Sequence, residues 1–225
     1  MLLTLSRVFL KNFFDTEPSM PESSSRASAR IRHAIAKTAA KYVAVDGIND
    51  FLAAKRKAAA QLGLNPGKNM PSNLEVEQAL VEYQNLFHGE HQIQILLQMR
   101  RVATRAMKFL QLFTPCLVGP VLRGTATRHS DIILHIFCEE PEQPGFFLQE
   151  HGIPFQISSM RVRINSRDSI ELPVYRFEAE DNSFVLVVFA GKQKNLTPLS
   201  GIDGKPEPRA NLRQISELLG TPRGD

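Results

Sequence analysis

Residues 118–136, VGPVLRGTATRHSDIILHI, bring together side chains suited to phosphate and metal chemistry. Arg123, Gly124, Thr125, Thr127 and Arg128 make a polar, cationic loop. Such a loop can hold a phosphate through guanidinium charge and backbone N–H groups. An ordinary β-turn carrying two surface arginines has the same composition. Ser130 and Asp131 then open an apolar run, and the Asp131 carboxylate is the hard oxygen ligand that Mg²⁺ requires. Asp131 is equally suited to capping the turn after Ser130. His135 falls on the same strand face as Asp131, but about 13 Å along it, too far to share one ion directly. His129 lies in the loop and can point back toward Asp131.

With those residues in view, the stretch resembles the signature of the nucleotidyltransferase superfamily, the fold of DNA polymerase β and the minimal bacterial nucleotidyltransferases. Those proteins carry a Gly-Ser pair, often an Arg-Gly-Thr-Ala stretch, and then Ser-Asp-Ile-Asp-Leu on the next strand. This chain has Gly119-Pro120, Arg123-Gly124-Thr125-Ala126 and Ser130-Asp131-Ile132-Ile133-Leu134 in the same register without a gap. The similarity covers residues 97–191. It implies that Asp131 is a catalytic carboxylate and metal ligand, and that Gly119, Arg123, Gly124, Thr125, Arg128 and Ser130 face a nucleoside triphosphate. In such sites two Mg²⁺ ions about 3.5–4 Å apart neutralise the transferring phosphoryl group. Carboxylates at positions i and i+2 of one strand point the same way and share those ions.

Three departures touch three separate catalytic elements. Ile133 stands at the second carboxylate position, and isoleucine cannot bind a hard cation. Pro120 replaces the serine, which removes a hydroxyl and a backbone N–H. The third carboxylate is expected near Val185 on SFVLVVFA, yet no acid occurs from Ser183 to Gly191. Glu171, Glu178 and Glu180 are the acids that can reach the site from the neighbouring strand.

The elements that must position this stretch follow from periodicity. Ile31, Ile35, Ala39, Tyr42 and Val43 predict a helix over residues 27–45, ended by Asp46-Gly47. An alanine-rich helix over 51–62 carries a basic knot at Lys55, Arg56 and Lys57, with Gly63 as its stop. Ser72 and Glu75 form a capping box that launches a third helix to Phe87. The fourth and longest runs over 90–113, ended by Pro115. Its apolar side carries Ile93, Leu96, Leu97, Val102, Met107 and Leu110, with Arg100, Arg101, Arg105 and Lys108 elsewhere. The period then changes to alternation. Strands are expected at CLVGPVL, DIILHIF, MRVRIN, ELPVYRFEA and SFVLVVFA, with a short helix in PEQPGFFLQEHG and a turn at EDNS. Asn211 caps a final short helix to Leu219. Helices first and a small mixed sheet afterwards make an α+β protein. Its expected parts are a tail (1–26), a helical region (27–113), and a nucleotidyltransferase-like α/β core with a C-terminal loop and helix (114–225).

The 225 residues are 43% hydrophobic, enough for a sizeable core, and no apolar run approaches a membrane span. Cys116 and Cys138 lack metal-ligand spacing and read as free thiols in a reducing compartment. The opening MLLTLSRVFLKNFF lacks the basic start, long apolar middle and cleavage site of a signal peptide, so a cytoplasmic location is expected, with Met20 as an alternative start. Nine Lys or Arg against two Asp between Arg26 and Lys68 suggest a polyanionic partner. The chain therefore admits three functions. It is a catalytically degenerate nucleotidyltransferase fold that binds a nucleotide, nucleic acid or protein partner. Alternatively it is an active metal-dependent nucleotidyltransferase built on Asp131. The third reading is a nucleic-acid binder or regulator working through Lys55, Arg56, Lys57, Arg100, Arg101 and Arg105.

Overall fold

The computed structural model describes residues 24–220 other than 66 and 88. The expected tail and the alternative start at Met20 lie outside these residues, except that residues 24–26 already belong to the first helix. The fold is α+β. Helices α1 (Ser24–Asp46), α2 (Phe51–Gln61), α3 (Asn73–Phe87) and α4 (Gly89–Phe109) come first. Strand β1 (Cys116–Val118), helix α5 (Gly119–Arg123), strand β2 (Ile132–Cys138) and helix α6 (Gln143–Glu150) follow. Strands β3 (Gln156–Arg163), β4 (Ser169–Ala179) and β5 (Asn182–Ala190) complete the sheet, and α7 (Leu212–Gly220) closes the described chain.

Helices α1–α3 share a core built largely of alanine: Ala36, Ala39, Ala40, Ala54, Ala58, Ala59 and Ala79, filled out by Ile35, Val43, Val76 and Leu80. Small side chains let helix axes approach closely, so many short contacts replace a few large ones. The capping box at α3 forms as the sequence predicts. Ser72 N–H donates to Glu75 Oε2 at 2.7 Å, and Glu75 N–H donates to Ser72 Oγ at 3.2 Å. The Ser72 backbone N–H first, then the Ser72 hydroxyl and Arg32, hold the Glu75 carboxyl below its ordinary range.

Helix α4 belongs to the other core. Leu96, Met99, Val102, Ala103 and Met107 pack with Ile132, Leu134, Ile136, Phe184, Leu186 and Val188 of the sheet. The hydrophobic clusters thus part between α3 and α4. Three element boundaries differ from the sequence reading. The chain leaves α4 at Phe109 and tightens into a 3₁₀ turn, Gln111–Phe113, in which Phe113 N–H donates to Leu110 O and Thr114 N–H to Gln111 O. CLVGPVL is strand only to Val118, because Gly119 (φ +69°) turns the chain into α5 and a side chain there would meet Ile133 Cδ1 at 3.1 Å. Strand β3 also begins four residues earlier than expected, where Gln156 pairs with Arg176 of β4.

The strand order is β1-β2-β5-β4-β3, with β2 and β5 parallel and every other pair antiparallel. Glu180 and Asp181, both at positive φ, form the two-residue turn between β4 and β5. Asn211 caps α7 as expected, its Oδ1 accepting from Gln214 N–H at 3.0 Å. Cys116 and Cys138 are free thiols. No described helix is long and apolar enough to cross a membrane. Replacing the cap with Ser72→Ala is expected to destabilise the protein by about 1 kcal/mol. Urea unfolding at constant m-value measures that loss.

Candidate functional site

The turn between β1 and β2 is held from inside. Gly124 closes α5 at φ +88°, and the N–H groups of Gly124, Thr125 and Ala126 all donate to Pro120 O, at 2.9, 3.0 and 3.2 Å. Thr127 N–H donates to Ser130 Oγ at 2.9 Å, and Ser130 N–H returns to Thr127 O at 3.0 Å. Thr125, Thr127 and Ser130 are buried. From α3 and α4, Gln84 and Gln92 donate to the carbonyls of Thr125 and Ala126, and Arg100 donates to those of Val121 and Leu122. The backbone donors expected to cradle phosphate are therefore engaged within the turn itself.

Arg123 is engaged as well. Its Nη2 donates to Ser200 Oγ at 2.6 Å and to Glu207 Oε1 at 3.1 Å, while Nη1 lies 3.9 Å from Glu77 Oε2. The Arg123 side chain is 16% exposed and Glu207 15%. Burial pushes the Glu77 carboxyl above its ordinary range despite the attraction of Arg123. Arg128 is the exposed cation of the loop; its Nε donates to His129 Nε2 at 3.0 Å. His129 faces the turn between α1 and α2. A side chain at Gly47 would meet its ring at 2.8 Å, and its carbonyl accepts from Asn49 Nδ2 at 2.8 Å. With His91, Gln92, Ile95, Ala44 and Val45, Arg128 lines a cleft of about 160 Å³.

Just before β2, Asp131 is 28% exposed and forms an ion pair with Arg176 of β4, Oδ2 to Nη1 3.6 Å. Ile133 pairs with Val185 on β5, and Val185 pairs with Arg176. Where three carboxylates would converge on Mg²⁺ there are one acid, two aliphatic side chains and a guanidinium. These residues do not fit a divalent cation. Glu178 shares a face of β4 with Arg176 and stands opposite Ser183, Glu171 stands opposite Arg161 of β3, and Glu180 is ion-paired with Arg105. Among the described residues no three His, Cys, Asp or Glu side chains are grouped to hold a metal.

Further along the same face, His135 is 5% exposed and accepts from Arg209 Nε through Nδ1 at 3.0 Å. The Arg209 guanidinium also donates to Leu196 O at 2.9 Å and lies over the rings of Phe137 and Phe189, at 5.1 and 4.7 Å. Burial, reinforced by the Arg209 charge, pushes the His135 pKa down to about 3. Cys116 pairs with His135 across β1 and β2, and burial raises its thiol despite Arg209. Arg209 had no signal in the sequence. It stands 74 residues from His135, in a proline- and glycine-rich loop.

The cations proposed for the helical half are also largely spent. Lys55 is 7% exposed and donates to Pro71 O and Asn73 Oδ1, at 3.0 and 2.8 Å, and burial lowers its pKa. Lys57 pairs with Asp46 at 2.8 Å, Arg100 is buried, and Arg105 pairs with Glu180. Arg56 and Arg101 remain exposed.

No protein-family model matches the chain, and comparison with curated proteins and with solved structures finds no match.

Two outcomes check this geometry. Arg123→Ala strands two carboxylates in a buried setting and is expected to cost about 3 kcal/mol or more in urea unfolding. A surface phosphate ligand would change stability by roughly 0.5 kcal/mol at most. The lowered His135 pKa means that the fold resists protonation there while the unfolded chain does not. That contribution is complete above about pH 6.5 and is lost as pH falls toward 3. Relative to His135→Gln, wild type should therefore lose up to about 1.4 kcal/mol per pH unit below pH 6.5, read from urea midpoints.

Proposed function

We propose that this chain is a nucleotidyltransferase-like fold that has given up metal-dependent transfer and acts by binding a partner. The observation that carries the reading is the register of Ile133, Val185 and Arg176 on three adjacent strands, with Asp131, just before the first of them, ion-paired to that arginine. The layout supports the family resemblance. A glycine turn follows the first strand and abuts Ile133, the Asp131 strand pairs beside it, and the strand expected to bring the third acid lies next to that one. The chemistry at those positions supports the loss of transfer. Phosphoryl transfer depends on neutralising developing charge with precisely placed cations. Here the one remaining carboxylate is matched by an arginine, and its neighbours offer no oxygen ligand.

The same register argues against the alternative of an active enzyme built on Asp131. A single carboxylate already paired with a guanidinium is a weak ligand for a hard cation. Nor do the spent donors of the 123–130 turn offer a triphosphate the cradle that the resemblance implies. What is left for the scaffold is recognition.

Calorimetric titration with ATP, GTP, CTP and UTP, each with and without Mg²⁺, tests this. Expected is no Mg²⁺-dependent heat for any nucleotide, with Asp131→Ala indistinguishable from wild type. Mg²⁺-dependent binding or turnover abolished by Asp131→Ala would establish the active-enzyme alternative instead.

A further inference from the structure

Helix α1 spans 23 residues, and its cations fall into register. Arg26, Arg30, His33, Lys37 and Lys41 are spaced by four, three, four and four residues. At about 100° per residue, all five lie within a stripe about 80° wide. All five are exposed. The opposite side of the helix is buried through Ile35, Ala36, Ala39, Ala40 and Val43. The sole acid in the helix is Asp46, its last residue, which is paired with Lys57. Arg32 lies off the stripe and pairs with Glu75 at 3.4 Å. Glu75 and Glu82 of α3 flank the groove beside Arg30 and His33, so the stripe is least shadowed at Arg26, Lys37 and Lys41.

This arrangement is unfavourable for the helix alone. Like charges four residues apart destabilise a helix, and cations in the first two turns oppose its dipole. The first turn carries no acid to offset them. A regular polyanion laid along the stripe would relieve both effects.

We infer that the exposed stripe of α1 binds the phosphodiester backbone of a nucleic acid without reading its sequence. From Arg26 to Lys41 the stripe runs about 22 Å at a rise of about 1.5 Å per residue. One strand of B-form DNA presents about six phosphates over that length. A straight row of cations matches the evenly spaced anions of a phosphodiester backbone, whereas an extended acidic peptide has no such regular spacing. A membrane surface fits less well, because an interfacial helix inserts its apolar face and that of α1 is already consumed by α2 and α3. No aromatic residue punctuates the stripe, so base stacking is not part of the mode. The inference names the partner class for the binding role proposed above. The nucleotide titration reads Asp131 and is blind to α1, so the two readings fail separately.

The test is fluorescence anisotropy of the full chain with a labelled 20-nucleotide single-stranded RNA and a 20-base-pair duplex DNA, from 50 to 200 mM salt. Three backbone contacts, from Arg26, Lys37 and Lys41, predict a slope of log K against log salt of about −2.7 for the duplex, roughly a fortyfold loss across that range. The triple variant Arg26→Gln, Lys37→Gln, Lys41→Gln should flatten the slope nearly to zero and weaken binding at 50 mM at least tenfold. A charge-matched control, Lys108→Gln, Arg167→Gln, Lys192→Gln, should stay within about twofold of wild type, since those cations lie off α1. Equal weakening by both triples would assign the effect to net charge and overturn the proposal. So would no binding at 50 mM, displacement of the nucleic acid by polyglutamate at equal charge concentration, or binding to phosphatidylserine vesicles alone. Circular dichroism of each variant confirms that α1 is intact when the slopes are compared.

Discussion

The buried guanidinium of Arg123 joins three parts of the chain that are remote in sequence. Its partners are Glu77 on α3, Ser200 in the loop after β5, and Glu207 just before the chain returns to pair with β1. An arginine can serve such a junction because its planar fork donates in several directions at once and stays charged when buried. The arrangement is unforgiving. A charge taken out of water must be matched nearby, so each partner fixes the position of the others. The turn between β1 and β2 consequently has its backbone donors satisfied and its two threonines and Ser130 buried.

The sheet face below that turn shows the same economy. Asp131 meets Arg176, Ile133 meets Val185, and His135 meets Arg209, row by row toward Phe137 and Phe189. A face that would have to remain polar and open for two-metal chemistry is instead filled with aliphatic and aromatic side chains under a returning arginine. Desolvation there acts on whatever titratable group remains, and the neutral His135 is its clearest expression. The side chains along this face therefore suit packing rather than the holding of an ion.

Positive charge is divided along similar lines. Cations that lie between elements, such as Lys55, Arg100, Arg123 and Arg209, are consumed by carbonyls, carboxylates and rings. On the outer side of α1, Arg26, Lys37 and Lys41 share one exposed face, since residues three and four apart lie together on a helix. A modest net charge of +4 therefore says little about where a polyanion would be attracted. Geometry concentrates the field along one helix.

The local code was legible wherever it is written in neighbouring residues. Periodicity located α1 to α4 and most strands, Ser72 with Glu75 announced a helix start and Asn211 announced another, while α5 was hidden inside an apparent strand. The absence of acids at positions 133 and 183–191 was also plain from residue identity, and the expected neighbourhood of position 133 and Val185 follows the observed register. Tertiary structure alone decided which polar groups are spent. Nothing in the sequence near Arg123 names Glu77 or Glu207, nothing near His135 names Arg209, and a basic knot at Lys55 looks the same whether its first lysine is buried or solvated. The extent of the first strand belongs here too, because Gly119 turns only where Ile133 crowds it. The physical reason is range. Dihedral preference, capping and periodicity act within a few residues, whereas the pairing of buried charge is settled by whichever partner the fold brings within hydrogen-bonding distance.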